Sequence, residues 1–221
     1  MMTQKDGKQE GAELRPTPEL LDQIATREWQ MLQEVNQGGP RAECQDSPQT
    51  FKAMREGQFA VWSKSAAESY LQDLKDAEQT GRNLVREKYV NMMLLGQTCM
   101  NTDYLPLASP RRQKVVELST SVADLLVQEN TAILSRYPHL APLMRPVEQA
   151  GDDQDHTSIE TYLRGELLTY SETTLELLLQ WVTQLEREGR DYAKQVLTNS
   201  LRFNGFRDLA QADAAVAHAQ R

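Results

Sequence analysis

The chain has 221 residues, 39% of them hydrophobic and 25% charged, with a net charge of −8 and a pI near 5.0. That length supplies a hydrophobic core for one large domain or two small ones. The acidic balance argues against a nucleic-acid partner, which needs a basic face, and no run approaches the roughly 20 apolar residues of a membrane helix.

Residues 1–15 are polar, and a disordered tail is expected there. They hold no apolar signal-peptide core, so a cytoplasmic location is expected. Next, Thr17-Pro18, Ser47-Pro48 and Ser109-Pro110 each set a capping hydroxyl before a proline at the first helical position. Ser65 with Glu68 and Thr157 with Glu160 fit the capping box, in which each side chain takes the other's free backbone N–H. These signals predict helices near 18–36, 48–62, 66–100, 110–136 and 158–188, a shorter one near 190–202 and an alanine-rich one near 207–219. Turn-rich QGGPRAECQDSP (37–48) and the proline- and acid-rich stretch 138–156 read as loops. Alternating apolar runs are absent, so the expected fold is all-α: a multi-helix bundle of about five main helices plus short C-terminal helices. One bundle domain is expected over 16–205, with a C-terminal helix or tail over 206–221.

The apolar stripes of the long helices are interrupted by polar residues. Glu28 falls on the first stripe, Arg55 and Gln58 on the second, Asp73 and Lys88 on the third and Glu129 on the fourth, while Glu166 borders the fifth. An unpaired buried charge is costly, so such groups pair with one another or line a wet cavity. Gly81, inside the third stripe, predicts a close approach by a neighbour, because a mid-helix glycine costs about 1 kcal/mol against alanine.

The same residues carry a resemblance. Glu28-Trp29, Cys44-Gln45-Asp46, Thr50-Phe51, Met54-Arg55, Gln58-Phe59, Trp62, Tyr70, Asp73-Leu74, Gly81 to Leu84, Glu87-Lys88-Tyr89 and Met92-Met93 resemble the motifs of an uncharacterised bacterial family, a domain of unknown function. The resemblance spans roughly 17–200 and implies a helical fold, no established activity and an association with a nucleotidyltransferase-like domain. Its hallmark residues include Glu28, Arg55, Gln58, Asp73 and Lys88, the polar residues that the stripes single out.

No complete catalytic constellation is present. A di-metal carboxylate bundle needs Glu-x-x-His on two helices, and His139, His156 and His218 do not supply it, so no metal is expected. Asp152, Asp153 and Asp155 with His156 read as a solvated loop sooner than a cation site. Cys44 precedes a helix start but has no histidine near it in sequence, and with the distant Cys99 it forms no metal-type pair; a reducing compartment fits. No glycine-rich phosphate loop is found, and no cofactor is implied.

Two expectations of function follow. In the first, Glu28, Arg55, Gln58, Tyr70, Asp73 and Lys88 line a pocket that binds or acts on a small anionic molecule, with Glu28 and Asp73 orienting the cations or serving as acid/base groups and with Cys44, Gln45, Asp46, Arg82, Asn83, Glu87 and Glu129 as secondary candidates. In the second, the bundle is an accessory module for a partner enzyme, a nucleotidyltransferase being one kind, and the buried polar residues only fix helix register.

Overall fold

The computed structural model describes residues 15–35, 43–96, 112–153 and 156–220. Within them the long elements are all α-helices: α1 (Pro18–Gln33), α2 (Pro48–Phe59), α3 (Lys64–Gln79), α4 (Leu84–Leu95), α5 (Gln113–Leu134), α6 (Ile159–Leu167), α7 (Glu172–Arg187), α8 (Tyr192–Phe203) and α9 (Leu209–Ala219). Short 3₁₀ turns lie at Glu43–Asp46, Ala141–Leu143 and Gln149–Gly151. No described helix is long and apolar enough to cross a membrane.

Two of the long helices expected from sequence are each two helices. The stretch 66–100 breaks after α3, where Gly81 adopts φ +70°. Arg82 N–H donates to Ala77 O at 2.8 Å and Gly81 N–H to Glu78 O at 3.3 Å, the paired bonds of a Schellman stop. Nothing lies within 4 Å of where a Gly81 side chain would begin, so this glycine supplies a backbone conformation and not the expected close approach. Residues 97–111, with Cys99 and the Ser109-Pro110 start, lie outside the described residues. The stretch 158–188 breaks between α6 and α7, where Ser171 caps the new helix by accepting from Thr174 N–H at 3.2 Å.

The caps also shift by a residue or two. Thr17 accepts from Leu20 N–H as expected, but Ser47 makes no side-chain cap. Ser63, not Ser65, caps α3, and Ser158, not Thr157, caps α6. Glu160 instead accepts from Gln149 N–H and from Arg164. A hydroxyl two residues away competes equally well in sequence, and only the path of the incoming chain decides between them.

The helices enclose one main core and a smaller second one. At the centre Phe59, Trp62, Tyr70 and Tyr170 pack ring on ring, with Tyr70 and Tyr170 centroids 4.7 Å apart and Phe59 5.1 Å from Tyr70. Their polar ends are satisfied: Trp62 Nε1–H donates to Tyr192 Oη at 2.7 Å, and Trp181 Nε1–H to Val61 O at 2.8 Å. Arg15, just past the undescribed N-terminal residues, donates to Val61 O and lies over the Trp181 ring. The second core joins Ile133, Leu140, Ala193, Leu209 and Ala212, and so seats α9 against α5 and α8.

For the site, the decisive packing is among α1, α2, α4 and α6. Helix α4 packs most extensively on α6, and α1 lies against α2, α3 and α4. Gly165 is the reason α6 can sit so close. A Cβ there would stand 2.5 Å from Met92 Cγ and 3.1 Å from Lys88 O. Asn91 Nδ2 donates to Gly165 O at 3.1 Å across the same contact.

Candidate functional site

The polar residues of four separate stripes converge in the interior. Glu28 comes from α1, Arg55 and Gln58 from α2, Lys88 from α4 and Glu166 from α6. Glu28, Arg55, Lys88 and Glu166 are each at most 7% exposed, so solvent screens them little.

The Arg55 guanidinium is the centre. Its Nε donates to Glu28 Oε2 at 2.6 Å and its Nη2 to Glu28 Oε1, the bidentate fork that suits a carboxylate. Nη2 also donates to Glu166 Oε1 at 2.7 Å, and Nη1 to Gln58 Oε1 at 2.8 Å. Lys88 Nζ donates to Glu166 Oε2 at 2.7 Å and stands 3.6 Å above the Tyr162 ring, where the aromatic face adds attraction for the cation. Two phenols close the carboxylates: Tyr70 O–H donates to Glu28 Oε1 and Tyr170 O–H to Glu166 Oε1, each at 2.7 Å. Gln58 Nε2 completes the ring to Glu166 Oε1 at 3.2 Å. Two carboxylates face two cations, so the cluster is neutral as a whole.

The ionisation states follow. Burial alone pushes the Glu166 carboxyl up, but Arg55 and Lys88 beside it outweigh burial and hold it well below the usual carboxylate range. Burial works against the Arg55 cation, and Glu166 and Glu28 reverse that and raise it further. The Lys88 ammonium is raised in the same way, chiefly by Glu166 against burial. Burial and the neighbouring carboxylates push the Tyr70 and Tyr170 phenols up, so both stay protonated and donate.

The remaining space is small. The void lined by Glu28, Arg55, Tyr70, Lys88, Tyr162 and Glu166, among others, measures about 30 Å³. That is room for a water molecule or two, given a threshold of about 10–15 Å³ for one, and not for an organic anion.

Of the leading sequence candidates, Glu28, Arg55, Gln58, Tyr70 and Lys88 meet here. Asp73 does not. Its Oδ2 accepts from Ser171 N–H at 3.0 Å and Thr174 O–H at 2.7 Å, so it anchors the α6–α7 break; burial raises its carboxyl despite those bonds. Glu129 is elsewhere too, accepting from Ala193 N–H at 2.7 Å at the start of α8, with its carboxyl raised by burial. Gln45 donates to Leu32 O at 2.8 Å and to Val35 O, so the Cys-Gln-Asp motif staples the C-terminal end of α1. Asp46 ends that 3₁₀ turn, and the Cys44 side chain lies outside the described residues. Arg82 and Glu87 form a fork of 2.8 and 2.6 Å, while Asn83 caps α4 and donates to Met31 O.

Glu166 is a member of the cluster that sequence reasoning does not place among the candidates. It only borders its stripe, yet it takes bonds from Arg55, Gln58, Lys88 and Tyr170. The available signal was charge balance: two inward cations need a second inward carboxylate. Among the described residues, no group of three or more His, Cys, Asp or Glu is placed to hold a metal ion.

The family model for "Protein of unknown function (DUF4125)" matches residues 18–214, nearly the whole of this fold. The chain belongs to the DUF4125 family. Comparison with curated proteins and with solved structures gives no match. The match to DUF4125 takes in all four helices that supply the cluster and gives it no activity.

Proposed function

We propose that this chain is a non-catalytic binding protein whose buried charge cluster holds the helical frame rigid and does no chemistry. One observation supports the structural role of the cluster above others: its charges answer one another, around a void of about 30 Å³. An acid–base centre needs an uncommitted group within reach of a reacting atom. The Arg55 guanidinium carries five N–H donors, and each of its three nitrogens already faces a carboxylate or amide oxygen.

The test is stability. Arg55→Met leaves Glu28 and Glu166 facing Lys88 alone, and breaking a buried pair costs about 3–5 kcal/mol. A loss of that size in chemical denaturation supports a structural cluster; an Arg55→Met protein as stable as the parent overturns it. Native mass spectrometry of protein purified from its own host then separates the two kinds of occupant. A bound small molecule places binding elsewhere on the chain, since the void at the cluster has no room for it, and a co-purifying protein, a nucleotidyl-transferring enzyme being one kind, favours the accessory-module reading.

A further inference from the structure

Tyr89 and Tyr162 line the small void at the cluster and also a larger space, a cleft of about 290 Å³ between the C-terminal half of α4, the loop before α6 and the first turn of α6. Its floor is apolar and adaptable: the two tyrosines with Met92 and Met93. The Tyr162 ring is braced from within by Lys88 at 3.6 Å, and the Arg145 guanidinium lies 5.7 Å from the same ring.

The polar groups around the cleft differ in what they have left to offer. Asp152 is committed: its Oδ1 accepts from Ser158 N–H and its Oδ2 from Thr161 O–H at 2.6 Å. Asp153 is committed to His156, through the backbone N–H at 2.7 Å and the ring nitrogen at 2.9 Å. The first amides of α6 are also spent, Ile159 N–H on Pro146 O and Glu160 N–H on Val147 O. Arg145 uses only Nη1, on Thr157 O at 3.0 Å. Its Nε and Nη2 have no protein partner among the described residues. What the cleft offers a visitor is therefore a planar cationic donor beside an aromatic and thioether surface, with two carboxylates nearby whose oxygens are already engaged.

Resting on the reading of this chain as a binding protein, we propose that the cleft binds a small aromatic carboxylate, its ring on Tyr89, Tyr162 and the methionines and its carboxylate on Arg145. Nη2 and Nε of a guanidinium form the fork that takes a carboxylate in two parallel bonds. A cleft of this volume holds on the order of ten waters, which matches a single ring with one acidic group.

The experiment uses the full chain labelled with methyl-¹³C methionine, titrated with benzoate and with the shape-matched cation benzylammonium. Expected are saturable shifts of the Met92 and Met93 methyls with benzoate, with Met31 in the core unmoved, and binding at least tenfold weaker in Arg145→Gln. Because Arg145 is exposed, that variant should fold, and an unchanged Met31 signal shows it. The proposal is overturned if benzoate leaves both methyls in place, if benzylammonium binds as well or better, or if Arg145→Gln binds benzoate as the parent does. If host-purified protein carries a small molecule yet benzoate moves neither methyl, this site falls while the binding reading stands.

Discussion

Glu166 has the most partners of any acid described, and its titration sets an acid limit on the fold. Its folded-state value lies below the ordinary 4.5, so the folded chain releases that proton more readily than the unfolded chain. The stabilisation it brings is therefore complete above about 4.5 and is lost as pH falls below that value. Asp73 and Glu129 act in the opposite sense, because their carboxyls are raised and protonation favours the folded form. Urea midpoints followed from neutral pH to about 3 should fall steeply in the parent. In Glu166→Gln the neutral-pH stability should already be lower, and the acid slope should flatten. An unchanged slope would remove Glu166 from the account. Lys88 predicts a matching alkaline effect: its raised ammonium stabilises below about 10.4, and that contribution fades as pH climbs through the folded-state value.

At the scale of elements, two glycines make opposite demands. Gly81 has open space but a positive φ, so Gly81→Ala should cost about 1 kcal/mol through backbone strain alone. Gly165 has ordinary helical geometry but no space. Alanine there gains about 1 kcal/mol in helix propensity, yet its methyl meets the α4 backbone, and overpacking costs about 1–3 kcal/mol. Thermal unfolding of Gly165→Ala should show a net loss, larger if the α4–α6 contact cannot widen. The two glycines also show how far sequence carries. The all-α class and most helix positions were legible from caps and the 3.6 period, because those signals are local. The break at Gly81 shows in the sequence as a glycine, but its place on the stripe points to packing, since a stripe can continue in phase across a short turn. The break before Ser171 carries no glycine or proline at all. It is held by Asp73, about a hundred residues earlier in the chain, through bonds to Ser171 and Thr174. No window on the sequence contains both ends of that interaction. Likewise Arg55 and Lys88 were legible as inward charges, while Glu166 as their shared partner was not.

Across the whole molecule, the cluster is a single device drawn from four helices, so its members should not behave independently. In a double-mutant cycle, Arg55→Met and Glu166→Leu should each destabilise strongly, and together by less than their sum. The pair removes one cation and one carboxylate and leaves Glu28 and Lys88 in balance. Strict additivity in urea denaturation would argue that these charges do not share one site. The Tyr170 hydroxyl, left without its acceptor in the double variant, sets a floor on the recovery, and Tyr170→Phe added as a third change should restore more.

The order in which the chain is made gives the cluster a further consequence. Residues 15–96 carry Glu28, Arg55 and Lys88, one carboxylate against two cations, and the balancing Glu166 comes some seventy residues later. A nascent chain that has emerged only through α4 therefore offers the two cluster cations a single carboxylate partner, and the second cation stays in solvent. The cluster is complete only once α6 has arrived, so its contribution to stability comes late in the making of the chain.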